Sequence, residues 1–184
     1  TSSRQASVAL LARDGTVIWA KSADAPQTAS GACMRLLRYG LESAHLRLPE
    51  AELFLADLGP GSFTGVRVGV TLAKTFAFAL GLKAGGADAF DLVDPNRNVV
   101  LPSKRGEWFL RAPGRPPVRT TILPESDWVG VGAGLSDQTY PDAARFGLLL
   151  ASIRPVEPES LVPAYLIEPS ISVPKKPYGG AIAQ

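Results

Sequence analysis

Two kinds of apolar pattern follow each other at the start of the chain. Residues 7–11 and 16–20 are short, mostly apolar runs, and the Asp14-Gly15 pair between them favours the tight turn of a β-hairpin. In residues 31–45 the apolar side chains recur every three or four positions, which is the period of an amphipathic helix. The pattern therefore predicts an antiparallel hairpin followed by a helix.

The middle of the chain predicts a strand, a glycine-rich turn and a second helix. Residues 53–58 form a short apolar run of the kind found in a buried strand. The turn over residues 59–65 holds three glycines and one proline. Residues 66–80 then contain no proline and end at Gly81, where a left-handed helix cap is expected.

Beyond residue 86 the predicted elements are shorter. Strands are indicated near 99–101, 107–111, 118–123 and 129–134, a helix is indicated over 141–153, and prolines interrupt the chain from residue 154 onward. This mixture predicts an α/β protein. We divide it into an N-terminal unit of residues 1–85, a smaller unit of residues 86–166 and a proline-rich tail of residues 167–184.

The composition limits the chemistry available to the chain. Its 19 Lys and Arg against 17 Asp and Glu give a formal charge of +2, so the chain has no large basic field for binding nucleic acid unaided. A single histidine, His45, and a single cysteine, Cys33, cannot supply the usual zinc ligands, and one cysteine cannot form an intramolecular disulfide. We predict no metal, no cofactor and no catalytic residue; His45 is expected to end its helix and Cys33 to be buried.

The glycine-rich turn has two interpretations. A turn of this kind before a helix can direct backbone N–H groups at an anion, and such a site would comprise Gly59, Gly61, Ser62, Thr64 and Gly65. The spacing nevertheless fits neither the dinucleotide fingerprint nor a P-loop. The alternative is a structural turn, in which Gly61 and Gly65 allow a close approach that a Cβ would obstruct.

The second helix is apolar on nearly all sides. One face carries the core pattern, while Val68, Leu72 and Phe78 project elsewhere and need a second covering layer. A protein partner is the favoured cover, and burial within this chain is the alternative. The partner surface is predicted to lie on both helices and to comprise Leu36, Gly40, Val68, Leu72 and Phe78.

Residues 59–69, read with residues 73–81, resemble the bacterial TsaB (YeaZ) family. The resemblance extends to the hairpin at 1–10, to Gly106-Glu107-Trp108-Phe109, to the glycine turn at 131–134 and to Pro163-Ala164-Tyr165-Leu166. It implies the two-lobed actin/Hsp70/sugar-kinase-like (RNase H-like) fold with a reduced second lobe. Members typically carry a strand before the Thr-Ser that here stands at Thr1-Ser2, so this chain is either trimmed or has a differently built edge.

The resemblance also implies a function. Family members are non-catalytic subunits of the complex that makes N6-threonylcarbamoyladenosine at position 37 of tRNA, where they pair with the catalytic paralogue TsaD and are joined by the P-loop ATPase TsaE. Transfer RNA would be contacted only indirectly, and a homodimer is an alternative pairing. No signal core and no run of about 18 apolar residues appears, which predicts a cytoplasmic protein without membrane contact. The other functions left open are a nucleotide- or phosphate-binding enzyme related to actin-like ATPases and glycoproteases, and a self-associating module.

Overall fold

The computed structural model describes residues 1–24, 29–104, 106–123, 127–132 and 135–166. The predicted tail at 167–184 lies outside these ranges. In chain order the described elements are β1 Gln5–Leu11, β2 Val17–Asp24, α1 Ala29–Ala44, β3 Leu53–Asp57, α2 Phe63–Leu80, β4 Lys83–Ala87, α3 Ala89–Val93, β5 Asn98–Pro102, β6 Trp108–Arg111, β7 Val118–Thr120, β8 Trp128–Gly130 and α4 Phe146–Leu149.

The strands form three sheets in the described part of the chain. Strands β1 and β2 are the predicted antiparallel hairpin, with Leu10 opposite Trp19. Strands β3 and β4 pair in parallel, from Leu53 opposite Lys83 to Asp57 opposite Ala87. The third sheet has the order β7-β6-β5-β8, in which only β5 and β8 are parallel.

Helix α2 is the central helix of the N-terminal part. It ends at Gly81, whose φ of 65° confirms the predicted left-handed cap. A buried stripe of Val66, Val70, Ala73 and Ala77 packs on the β3–β4 sheet. With a mean hydropathy of 1.3 over 18 residues, α2 is long and apolar enough to cross a bilayer by length and composition alone. Its packing on the sheet is that of a core helix.

Several elements differ from the sequence prediction, among them helix α3, which was not predicted. Strand β4 was not predicted, and it runs across residue 85, where we placed the end of the first unit. The helix predicted over 141–153 is instead α4 between two short 3-10 turns, Ala143–Arg145 and Leu150–Ser152. Backbone hydrogen bonds between Ala84 and Val156 bring the later chain back to β4. The division into units stays a prediction.

His45 ends α1, as predicted, in a left-handed conformation. Its φ is 54°, and the backbone N–H of Leu46 donates to the Leu41 carbonyl at 2.9 Å, which closes the end of the helix. A residue with a Cβ is disfavoured at this φ, whereas glycine is not.

His45→Gly should therefore stabilise the chain. We expect the free energy of unfolding to rise by about 0.5–1 kcal/mol, since the relief of backbone strain exceeds the extra freedom that glycine gives the unfolded chain. Urea unfolding followed by circular dichroism measures it. His45→Ala, which retains a Cβ, is the control and should give no gain; a gain in both variants would place the effect in the imidazole.

Candidate functional site

The glycine-rich turn joins β3 to α2, and several of its polar groups form hydrogen bonds within the chain. The hydroxyl of Ser62 caps α2 by accepting from the N–H of Gly65 at 3.2 Å. The Gly59 N–H donates to the Asp57 carboxylate at 2.8 Å, and the Ser62 N–H donates to the Ser2 carbonyl at 2.6 Å. Three N–H groups of the turn are thus already used inside the chain.

Glycines of the turn and of α2 lie directly against the first two residues of the chain. A Cβ on Gly61 would overlap the Ser2 carbonyl oxygen, and a Cβ on Gly65 would overlap the Thr1 carbonyl oxygen. Gly69, one helical turn further along, would place its Cβ 2.5 Å from the Thr1 hydroxyl. The predicted close approach at Gly61 and Gly65 is confirmed, and its partner is the Thr1–Ser2 backbone.

Asp57 is a site residue that sequence reasoning missed. Its carboxylate is 8% exposed and accepts from Gly59 and from the N–H of Ser2, with the amino nitrogen of Thr1 at 3.7 Å. A buried carboxylate at the base of the turn repels an anion. The sequence feature that could have identified Asp57 is its position at the end of the predicted strand, just before the glycine-rich turn.

The turn's geometry favours the structural interpretation. Gly61, Ser62 and Thr64 are exposed, while Gly59 and Gly65 are buried. Three of the six N–H groups of residues 59–65 donate within the chain, and the buried Asp57 carboxylate beside them disfavours an anion there. Binding of phosphate by these five residues stays a prediction.

The two α1 residues assigned to the partner surface are buried within this chain. Leu36 is 8% exposed, and a Cβ on Gly40 would come 2.6 Å from the indole ring of Trp19 on β2. Trp19 in turn packs against Tyr39 with 6.0 Å between ring centroids. The exposed apolar residues of α1 are Met34 and Tyr39, which the prediction did not include.

The three α2 residues of the predicted surface have different surroundings. Phe78 is 73% exposed, and Val68 is half-buried. Leu72 is half-buried and packs against a cluster of Ala6, Ala32 and Cys33 from β1 and α1. Part of the cover that α2 needs is therefore α1 of the same chain, and Phe78 is the residue of the three that is open to a partner.

An exposed aromatic group lies at the N-terminal end of α2. The guanidinium of Arg67 lies 4.0 Å from the Phe63 ring centroid, and its Nε donates to the Tyr165 hydroxyl at 3.2 Å. Phe63 and Tyr165 pack with 5.6 Å between centroids, and both are nearly half exposed. Phe63 belongs to the glycine motif itself, so its position as a large aromatic residue within that motif was the signal in the sequence.

The candidate chemical groups are isolated from one another. Cys33 is buried, and burial raises the pKa of its thiol, which disfavours the reactive thiolate. His45 is exposed at the end of α1. Among the described residues no group of three or more His, Cys, Asp or Glu could hold a metal ion.

Comparison with known proteins gives two sequence matches, each to part of the chain. The family model described as TsaD, tRNA N6-adenosine threonylcarbamoyltransferase, matches residues 24–87. The curated tRNA threonylcarbamoyladenosine biosynthesis protein TsaB of Bacillus subtilis (strain 168) is 35% identical over 63 residues. That match covers 30% of this chain and 28% of the relative.

Comparison with solved structures covers most of the chain. YeaZ from Pseudomonas aeruginosa superposes with a TM-score of 0.73 at 20% identity, over 90% of this chain and 96% of that one. An uncharacterized protein with similarity to peptidase YEAZ from Pseudomonas aeruginosa superposes with a TM-score of 0.76 at 20% identity, over 91% and 96%.

These structural matches confirm the predicted α/β fold class and show a fold of the YeaZ type. The match to the family model lies in the segment that carries α1, the glycine-rich turn and α2. Taken together with the fold, the sequence matches make this chain similar to proteins of the TsaB/YeaZ family.

Proposed function

We propose that this chain is a non-catalytic, activating scaffold subunit in the synthesis of N6-threonylcarbamoyladenosine at position 37 of tRNA. The observation that carries the proposal is the place of the sequence match. The matched segment, residues 24–87, contains both helices on which the apolar pattern predicts the partner surface. The name of the Bacillus subtilis relative supplies the pathway.

The proposed partner is a catalytic paralogue of the TsaD type, which binds the exposed side of the two helices. Phe78, Tyr39 and Met34 are each between 44% and 73% exposed, and aromatic residues and methionine are enriched in protein interfaces. A TsaE-type ATPase would join the pair. In the absence of the paralogue, a homodimer could use the same surface on both copies.

The residues available support the proposed lack of catalysis. A buried thiol with a raised pKa and an exposed histidine at a helix end do not form an activated nucleophile. With a formal charge of +2, the chain has little electrostatic attraction for tRNA, so tRNA would be held mainly by the partners. The proposed location is the cytoplasm, where tRNA is modified.

The phosphate-binding alternative has less support. It needs free N–H donors in the turn at 59–65, and three of these donate within the chain beside the buried Asp57 carboxylate. Isothermal titration of the chain with ATP separates the alternatives, because an enzyme of that class must bind the nucleotide without any partner.

Reconstitution tests the scaffold proposal. The purified chain is mixed with its catalytic paralogue, the ATPase subunit, tRNA, ATP, threonine and bicarbonate, and modified adenosine is measured by mass spectrometry. We expect modification only when this chain is present. Modification at the same rate without it would contradict the proposal.

His45→Ala and Cys33→Ala should leave that reconstituted activity nearly unchanged. Neither side chain is placed to do chemistry, so we expect turnover within about twofold of the parent chain and a stability loss at Cys33 of about 1 kcal/mol. Melting temperatures and co-elution with the paralogue control for folding and assembly. Lost turnover in a folded, assembled variant would assign chemistry to the residue.

A further inference from the structure

The outer edge of strand β2 has no strand partner. In the part of the chain that the structure describes, β2 pairs with β1 alone, and no other backbone hydrogen bond reaches Val17–Asp24. In an antiparallel pair, every second residue of a strand directs its N–H and C=O away from the partner strand. The outer edge of β2 therefore presents backbone donors and acceptors with which an extended peptide can pair.

A cavity of about 300 Å³ lies between β2 and α1. On β2 it is lined by three consecutive residues, Lys21, Ser22 and Ala23. Lys21 faces α1, since its Nζ lies 5.1 Å from the centroid of the Tyr39 ring, and the next residue of a strand points to the opposite face. Because residues of both faces line the cavity, it reaches the edge of the strand. We call it the edge groove; its lining residues on α1 are Ala32, Arg35, Leu36 and Tyr39.

The edge groove has an apolar floor and a basic rim. Ala32 and Leu36 on the floor are buried, whereas Lys21 and Arg35 are exposed. Neither cation takes part in an ion pair among the described residues. Asp24, the acidic residue of β2, does not line the groove. Two uncompensated positive charges beside an open strand edge favour an occupant that carries carboxylates.

Charge also decides between the kinds of occupant. A second copy of this chain that paired through the same edge would bring the Lys21 and Arg35 side chains of both copies together, and like charges on paired strands are destabilising. A nucleic acid could use the two cations but has no peptide groups to pair with the strand edge. An extended acidic segment of another protein satisfies both the backbone and the charges.

We propose that the edge groove binds an extended, acidic segment of a partner protein, which adds to β2 as a strand and directs alternate carboxylates towards Lys21 and Arg35. This inference does not depend on the proposed role in tRNA modification. Tyr39 also belongs to the surface proposed for the catalytic paralogue, so the test uses this chain alone, without paralogue, tRNA or a measurement of activity.

The probe is the peptide Thr-Glu-Val-Glu-Val-Glu-Thr, with blocked ends and a fluorescent label, titrated with the full chain and followed by anisotropy. Its matched control carries N-methyl groups on the central Glu and on the Val that follows it. One of the two lost donors then faces β2 in either register, while every side chain and charge is kept. A second control peptide has Lys in place of each Glu.

We expect the Glu peptide to bind at least about tenfold more tightly than either control peptide, because the controls lose backbone or charge-assisted hydrogen bonds. Hydrogen exchange in β2 should slow with the Glu peptide and not with its N-methylated form.

Charge reversal on the protein locates the site. Arg35→Glu should weaken binding of the Glu peptide about tenfold and make the chain prefer the Lys peptide, and Lys21→Glu should act in the same direction. Arg38→Glu is the matched control, since Arg38 lies on the same helix, is 78% exposed and does not line the groove. It should change the affinity by less than about twofold. Melting temperatures check that each variant folds.

Four results would overturn the proposal. Equal binding of the N-methylated peptide would show that charge alone holds the probe, without strand pairing. Equal losses in the Arg35→Glu, Lys21→Glu and Arg38→Glu variants, or no loss in any of them, would place the probe outside the groove. Displacement of the Glu peptide by an oligouridylate that binds more tightly would assign the two cations to a nucleic acid. Absence of binding at about 1 mM peptide would show that the groove takes no such strand.

Discussion

Gly65→Val should lower the free energy of unfolding by about 2–4 kcal/mol. The new Cβ would occupy the position of the Thr1 carbonyl oxygen. The Thr1–Ser2 segment cannot easily move away, because Ser2 is held by the Asp57 carboxylate and by the Ser62 N–H. Chemical denaturation followed by circular dichroism measures the loss.

Gly69 offers a matched control on the same helix. A Cβ there meets the Thr1 hydroxyl, a side-chain atom that can rotate or be removed, rather than backbone. Gly69→Ala should cost clearly less than Gly65→Ala, and adding Thr1→Ala should rescue Gly69→Ala but not Gly65→Ala. If Gly65→Val kept its melting temperature and lost affinity for a nucleotide, the turn would be a ligand cradle instead.

Local sequence signals predicted the elements whose geometry is set locally. Asp14-Gly15 marked the hairpin, where the Asp14 side chain accepts from the Thr16 N–H at 2.9 Å and Gly15 has a φ of 88°. Gly81 marked the end of α2. In both cases the decisive contacts lie within a few residues along the chain, so propensity and structure agree.

Elements imposed by distant contacts were not predictable in this way. Strand β4 reads Lys-Ala-Gly-Gly-Ala, a sequence with low strand propensity, and it is extended because it pairs with β3. A Cβ at Gly86 would come 2.5 Å from the Ala56 carbonyl oxygen, so the glycines suit that close pairing. The helix predicted at 141–153 changes to a 3-10 turn after Leu149, where the Ser152 hydroxyl donates to the Leu149 carbonyl at 2.7 Å.

The candidate partner surface failed in part for the same reason. Helical periodicity identifies which residues share a face but not what covers that face. Gly40 is covered by Trp19, which lies on β2 and more than 20 positions earlier in the sequence. Leu72 is covered by the Cys33 cluster of α1 and β1. The hairpin and α1 thus supply cover that the sequence analysis assigned to a second molecule.

This placement determines what Leu72→Asp is expected to do. A carboxylate there would sit against Ala6, Ala32 and Cys33, an apolar environment without a cationic partner among the residues of that cluster. The variant should therefore lose about 2–4 kcal/mol of folding stability. Lost assembly in Leu72→Asp would reflect unfolding, and the interface has to be tested at a residue that is open to solvent.

Phe78→Asp should strongly weaken binding to the catalytic paralogue while the chain stays folded. Phe78 is 73% exposed near the end of α2, so a charge there costs little in the free chain but would be buried unpaired in the complex. We expect affinity to fall by about 2–4 kcal/mol, roughly 30- to 700-fold, with self-association weakened in parallel. Titration calorimetry measures the affinity, and light scattering after size exclusion measures the oligomer.

Ile122 supplies the matched control for Phe78. It is 77% exposed and lies just after β7, an edge strand of the four-stranded sheet. Ile122→Asp therefore makes the same change of charge at similar exposure, away from α1 and α2. It should leave binding unchanged. Weakened binding in Phe78→Asp alone, with equal melting temperatures, would place the partner on α2, because general effects of charge would act on both variants. Unchanged binding in a folded Phe78→Asp would move the interface elsewhere, and equal losses in both variants would show that net charge, rather than burial of this ring, controls association.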